Sequence, residues 1–225
     1  MRTADKMERQ RLIYRDEHLL VVNKPSGLLS HRGWAADRQT ALSRARDMLG
    51  QRVFLPHRLD RATSGLLIFA LDPQTHRDLC AAFERQEVRK SYLALVRGHT
   101  AAQGEINHPI RLPDGSGSRE ALSRFTLLDH CRIERCSLLR VQPHTGRPHQ
   151  IRRHLKHISH PILGDTRYGK GDINRQYRER HALHRLALHA HTVAFTHPVT
   201  GETLELEAPL PTDLLTVFES LQLVA

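Results

Sequence analysis

The segment His57-Arg58-Leu59-Asp60-Arg61-Ala62-Thr63-Ser64-Gly65-Leu66-Leu67 sets one carboxylate between two arginines. Flanking guanidinium groups favour the charged form of a carboxylate, so Asp60 is expected to serve as a nucleophile or a base. Thr63, Ser64 and Gly65 have the composition of a turn, and the apolar run 66–71 reads as a buried strand. A charged Asp at the mouth of a buried strand is where a reaction can be placed. The bland alternative is a surface ion pair beside a turn.

Other residues carry weaker signals. Lys24-Pro25-Ser26-Gly27 reads as a turn after a strand. It can cradle phosphate through Lys24 and the Gly27 backbone, or simply form a rigid wall. It is not a nucleotide P-loop, because the G-x-x-x-x-G-K-[ST] spacing is absent. Seventeen histidines invite a metal hypothesis, with His149, His154 and His157 in one cluster and His181, His184, His189 and His191 in another. Neither cluster forms H-E-x-x-H, and no Cys or carboxylate completes a zinc set at familiar spacing. Histidine in a basic stretch more often contacts RNA or packs, and His149 is the candidate for RNA contact. Cys80, Cys131 and Cys136 make an odd, sparse set, which is no disulfide framework. No metal and no cofactor is expected.

Charge narrows the partner. The formal net charge is +10. Between residues 140 and 185 there are 11 Lys or Arg against 3 acidic residues, so +8 of the excess lies in one segment. Such a concentration argues for a polyanion. An acidic membrane surface fits less well, since the basic residues do not form one stripe with bulky apolar anchors. No run of 18 apolar residues suggests a transmembrane helix, and the N-terminus lacks the apolar centre of a signal peptide. The expectation is a cytoplasmic, monomeric, RNA-binding protein. Residues 1–11 read as a flexible basic arm and residues 12–225 as a single catalytic domain.

These residues need elements to hold them. Residues 12–14 and 19–22 read as a strand pair. Residues 40–49 place Ala41, Leu42, Ala45, Met48 and Leu49 at helical spacing, and Gly50 ends the helix. Asp72 caps and Pro73 starts a second helix, which carries Leu79, Cys80 and Phe83 inward. Residues 91–97, 123–128, 137–141 and 186–196 read as strands. A loop at 113–118 joins two extended segments. Residues 149–157 form a short helix opened by Pro148. Thr200-Gly201-Glu202 turns the last long strand back into 203–207. Thr212 caps a final helix with Leu214, Leu215, Phe218 and Leu221 inward. Strands with scattered helices and hairpin turns indicate α+β with a mostly antiparallel mixed sheet.

The Asp60 string resembles the catalytic motif of the RluA-type pseudouridine synthases, H-R-L-D-x-x-T-S-G-L-L. Four further segments resemble that family in the same order: Asn23-Lys24-Pro25-Ser26-Gly27 with His31, Lys90-Ser91-Tyr92-Leu93-Ala94-Leu95-Val96, Thr145-Gly146-Arg147-Pro148-His149-Gln150-Ile151-Arg152-Arg153-His154, and His160-Pro161-Ile162-Leu163-Gly164-Asp165. The resemblance spans residues 12–210. It implies the pseudouridine synthase fold, a large bent sheet with flanking helices around a central RNA-binding cleft. It leaves no room for the S4-like domain of many relatives.

The resemblance also implies roles. Asp60 is the catalytic carboxylate, which either attacks ribose C1′ or removes the C2′ proton. Tyr92 stacks on the flipped uracil or helps proton transfer at C5. Arg152 pairs with Asp60 and aims it, while its neighbour Arg153 meets phosphate. Arg58 helps displace the target base from the stack. For Arg61 a phosphate contact and a solvated charge are equal readings. A glycosidase normally uses two carboxylates; a single acid suits an isomerase that keeps the freed uracil. The chain looks most like the short branch that modifies tRNA in the acceptor/T-stem region. Ribosomal RNA is the second substrate to weigh. A non-catalytic basic RNA-binding module and a His-rich metal hydrolase are the readings from other classes.

Overall fold

A computed structural model describes residues 11–32, 39–112 and 114–224. All but Arg11 of the expected N-terminal arm lies outside the described residues. The chain divides into two compact units. The first comprises Met1–Arg89 and Ala190–Pro209, the second Lys90–His189 and Leu210–Ala225.

In the first unit, β1 (Leu12–Arg15), β2 (Leu19–Lys24) and β3 (Ser64–Ala70) pair antiparallel in that order. Every residue of β3 is buried. Leu66, Ile68 and Ala70 face a core with Leu19, Val21, Leu79, Val88, Val193, Phe195 and Ala208. Leu67 and Phe69 alternate to the other face and are equally inaccessible. Fully burying each large side chain contributes about 1.5–3 kcal/mol. Helix α1 (Ala41–Leu49) begins at Thr40, whose hydroxyl accepts from Ser43 N–H, and ends at Gly50 in the left-handed conformation. Helix α2 (Pro73–Glu84) is capped by Asp72 with Pro73 in its first turn, and it buries Leu79 fully. The end of α1 at Gly50 and the start of α2 at Asp72 and Pro73 match expectation, because cap chemistry is local. Cys80 and Phe83 are only half-buried.

The second unit carries β4 (Arg89–Arg97), β9 (Cys136–Pro143), β8 (Leu122–His130) and β5 (Gln103–Asn107), antiparallel and side by side in that order. A small hairpin pairs β6 (Ile110–Arg111) with β7 (Ser118–Arg119). Helix α3 (Gln150–His157) follows β9. Helix α4 (Gly171–His181) lies where the sequence offered only a basic insert. Its apolar signal is two residues, Ile173 and Tyr177, one turn apart. Strand β10 (Leu188–Thr196) leads back into the first unit, where it pairs antiparallel with β11 (Thr203–Glu207). Thus the architecture is α+β and mostly antiparallel, as expected.

Helix α5 (Thr212–Ser220) differs from expectation in two ways. Pro211 is the cap and Thr212 the first helical residue, with no side-chain capping bond. Val217 is buried whereas Leu215 is 43% exposed, so the helix is rotated from the face that its leucines suggest. Among the described residues, no helix is long and apolar enough to cross a membrane.

Candidate active site

The half-buried Asp60 sits in the loop before β3, and residues 24–31 fasten that loop from one side. Ser30 Oγ donates to Leu59 O at 2.8 Å and accepts from Leu59 N–H at 3.1 Å. Ser26 Oγ donates to Ala62 O at 2.8 Å. Gly27 N–H donates to Arg61 O, while Arg61 Nε donates to Gly27 O. Thr63 N–H donates to Asp60 O, which closes the turn. The segment Lys24-Pro25-Ser26-Gly27 therefore shapes the loop that carries Asp60.

Lys24 is the clearest departure from expectation. Its side chain is fully buried, and its Nζ donates to the carbonyls of Pro25, Leu28 and Arg61 at 2.9, 2.8 and 3.3 Å. An ammonium surrounded this way does not reach a phosphate in solution. Lys24 holds carbonyls together instead, the rigid-turn alternative.

Three further details fix the motif. His57 Nε2 accepts Ile68 N–H at 3.0 Å, and its ring stacks on Phe83 with centroids 4.7 Å apart. Gly65 has φ +112° and runs so close to Ala190 that a Cβ would lie 2.1 Å from Ala190 O. Any other residue there would force the two backbones apart. Arg58 is exposed, with Nη1 donating to His31 Nε2 at 2.9 Å. Thus His31, Lys24, Arg58, Asp60 and Arg61 form one local constellation in the first unit.

Tyr92 and Arg152 belong to the second unit. Tyr92 lies on β4 opposite Val141 of β9 and is half-buried between Ser91 and Leu93. Arg152 is 7% exposed on α3. Its Nε donates to Asp165 Oδ2 at 2.8 Å and its Nη2 to Asp165 Oδ1 at 2.9 Å. The Tyr168 ring lies 5.1 Å from the guanidinium carbon, within cation–π range. His149 Nδ1 and the Tyr168 hydroxyl are 3.0 Å apart. Burial alone pushes the Asp165 pKa up, but the Arg152 guanidinium and the N–H groups of Tyr168 and Arg167 outweigh it and hold the carboxyl below its usual range.

Arg153 faces another way, as adjacent residues on a helix must. Its Nη1 donates to Arg111 O at 2.7 Å. Arg147 Nε donates to Glu120 O, and His154 Nε2 reaches His108 O. These three side chains tie the β6–β7 hairpin to the α3 region. Burial lowers the pKa of His154, which suits a packed, hydrogen-bonded imidazole.

Sequence reasoning assigned no role to Asp165, Tyr168 or Ser30, on which these contacts converge. Asp165 had a readable signal, being one of three acids in a segment with 11 basic residues. The partnership of Ser30 with Leu59 had none, since the two residues are far apart in the chain.

Comparisons with known proteins identify the family. The family model for RNA pseudouridylate synthase matches residues 18–157. The chain is 39% identical to tRNA pseudouridine synthase C of Pasteurella multocida (strain Pm70), over 92% of this chain and 96% of that protein. It is likewise 39% identical to tRNA pseudouridine synthase C of Vibrio cholerae, covering 88% and 90%. Among solved structures, human RNA pseudouridylate synthase domain containing 4 superposes with a TM-score of 0.82 at 23% identity, over 99% of this chain and 97% of that one. Human RNA pseudouridylate synthase domain containing 1 gives 0.73 at 28% identity, over 89% and 83%. By motif, fold and overall similarity, the chain belongs to the RluA-type RNA pseudouridine synthases, isomerases that act on uridine in RNA.

Proposed function

We propose that the protein isomerises one uridine of a structured tRNA to pseudouridine, in or near the acceptor/T-stem region. The observation that carries this reading is its similarity, along nearly the whole of both chains, to relatives named tRNA pseudouridine synthase C. The concentration of positive charge between residues 140 and 185 supports it, because a folded polyanion offers many phosphates at once.

In this reading Asp60 is the catalytic carboxylate. It acts on the ribose, either at C1′ or on the C2′ proton, so the bond from C1′ to N1 opens and the retained uracil rejoins through C5, which then loses its proton while N1 takes one up. Tyr92 supports the flipped base. Arg152 holds the reacting groups in place. Arg58, steadied by His31, fills the gap left when the base leaves its stack, which offsets part of a cost of a few kcal/mol. Arg61, His149 and Arg153 line the RNA path. Residues 12–225 work as a single catalytic domain, as a monomer in the cytoplasm, without a cofactor.

The test is to incubate the protein separately with unmodified total tRNA and with ribosomal RNA transcripts, then map the modified position. Pseudouridine at one position in tRNA is the expected result. Product in ribosomal RNA and never in tRNA would overturn the substrate while leaving the enzyme class intact.

A further inference from the structure

Asp165 is a buried carboxylate to which the reaction assigns no part. It is 1% exposed. Its two oxygens take the Nε and Nη2 of Arg152 side by side. Oδ1 also accepts the N–H groups of Arg167 and Tyr168. Its main-chain carbonyl accepts from Asn174 Nδ2 at 2.9 Å and from Gly169 N–H at 3.0 Å. Asn174 is itself buried on α4, with Oδ1 accepting Gly164 N–H at 3.0 Å. The carboxylate is therefore fixed at both its head and its backbone, and α4 supplies part of the anchor.

Such an arrangement does more than a stability role requires. A buried ion pair is often no more stabilising than apolar residues of the same volume, because desolvation offsets the attraction. What a side-on fork supplies is orientation. With Nε and Nη2 committed to Asp165, the guanidinium plane cannot rotate, and its Nη1 edge is turned away from Asp165. The Tyr168 ring bounds one side of the group, and His149 beside the Tyr168 hydroxyl steadies that ring.

We propose that Asp165 is a positioning residue for pseudouridine formation, holding the Arg152 guanidinium in a single orientation through the paired hydrogen bonds while Asn174 and Tyr168 brace the clamp. This rests on the reading of Arg152 as part of the catalytic machinery. Misplacing a catalytic group by about 1 Å costs roughly a hundredfold in rate, so the effect belongs on turnover at saturating RNA.

The experiment is a double-mutant cycle on full-length protein with a tRNA transcript. Asp165→Asn, Arg152→Ala and the double variant are compared with the parent for single-turnover rate, RNA affinity and thermal midpoint. Asp165→Asn should slow the single-turnover step roughly a hundredfold with RNA affinity nearly unchanged. In the Arg152→Ala background the same change should cause no further slowing, whatever it does to the thermal midpoint. A parent-like rate for Asp165→Asn, or losses that multiply in the double variant, would overturn the proposal. A parent-like rate for Arg152→Ala would sink the reading of Arg152 instead, so the two failures are distinguishable. Should Asp165→Asn fail to fold, Asp165→Glu keeps the charge and displaces the fork by one methylene. It should fold, bind RNA and turn over more slowly, and a parent rate there would equally refute positioning.

Discussion

Ser30 and Leu59 exchange two hydrogen bonds across 29 residues of chain, the hydroxyl donating to the Leu59 carbonyl and accepting its N–H. Both backbone polar groups of the residue just before Asp60 are satisfied by one side chain. Since Ser30 is 3% exposed, water cannot easily replace it.

Ser30→Ala leaves that N–H and carbonyl buried without their partner. Unfolding in denaturant should show a loss of about 1–3 kcal/mol. The single-turnover rate should fall more than RNA affinity, because the displaced backbone carries Asp60. A variant with parent stability and parent rate would remove Ser30 from the positioning of the loop.

Asp60→Asn should abolish conversion while preserving the fold and RNA affinity. The amide is nearly isosteric, and it is neither nucleophile nor base. Purified variant is assayed for pseudouridine and for RNA binding side by side. Conversion beyond a trace of the parent rate would show that another group is the catalyst.

RNA affinity should fall steeply with salt. Exposed basic side chains such as Lys156, Arg167, Lys170, Arg175 and Arg178 release counterions as they meet phosphates. The slope of log affinity against log salt is about −0.9 per phosphate neutralised on duplex and −0.7 on single strands. A nearly flat dependence would take this surface out of the RNA interface.

Acid should weaken the first unit through Asp72. Burial raises this group's pKa, but the hydroxyl and N–H of Thr75 and the His18 ring outweigh it and bring it down to about 2. A carboxyl whose folded pKa is depressed stabilises above its unfolded value and loses that contribution as pH falls through the folded one. The loss should therefore fall between pH 3.8 and about 2. Asp72→Ala should flatten this part of the stability profile and cost about 1 kcal/mol at neutral pH, the usual value of a helix cap. Its side chain is 36% exposed, so solvent screens the charge and the effect should remain small. An unchanged acid profile in Asp72→Ala would refute the assignment.

Local chemistry was legible in the sequence. Gly50 ends α1 as read, Asp72 and Pro73 open α2, and residues 66–70 of the apolar run lie in a fully buried strand. Long-range partners were not. Lys24 looks like a solvent-facing phosphate ligand until the carbonyls of Leu28 and Arg61 close around it. Helix α4 hides because its buried face is made by Asn174 and Tyr177, and hydrophobic periodicity gives no weight to a buried asparagine. Strand β5 was missed for a similar reason. Of Gln103–Asn107 only Ile106 is buried, so the apolar alternation that marks a strand is absent. The motifs identified residues to consider, while the hydrogen bonds reveal which of them do the holding.

The order in which the first unit acquires its chain bears on how it is made in the cell. Val193, Phe195 and Ala208 complete a core begun by Leu19, Val21, Leu66 and Ile68, yet they follow 100 residues of the second unit, Lys90–His189. During synthesis the N-terminal strands emerge long before the segment that covers them. Contacts so distant along the chain slow folding, since loop closure must precede the gain from burial. A nascent chain halted before residue 190 would display unsheltered apolar surface, making the interval between emergence of β3 and of β10 the window in which a chaperone would be engaged.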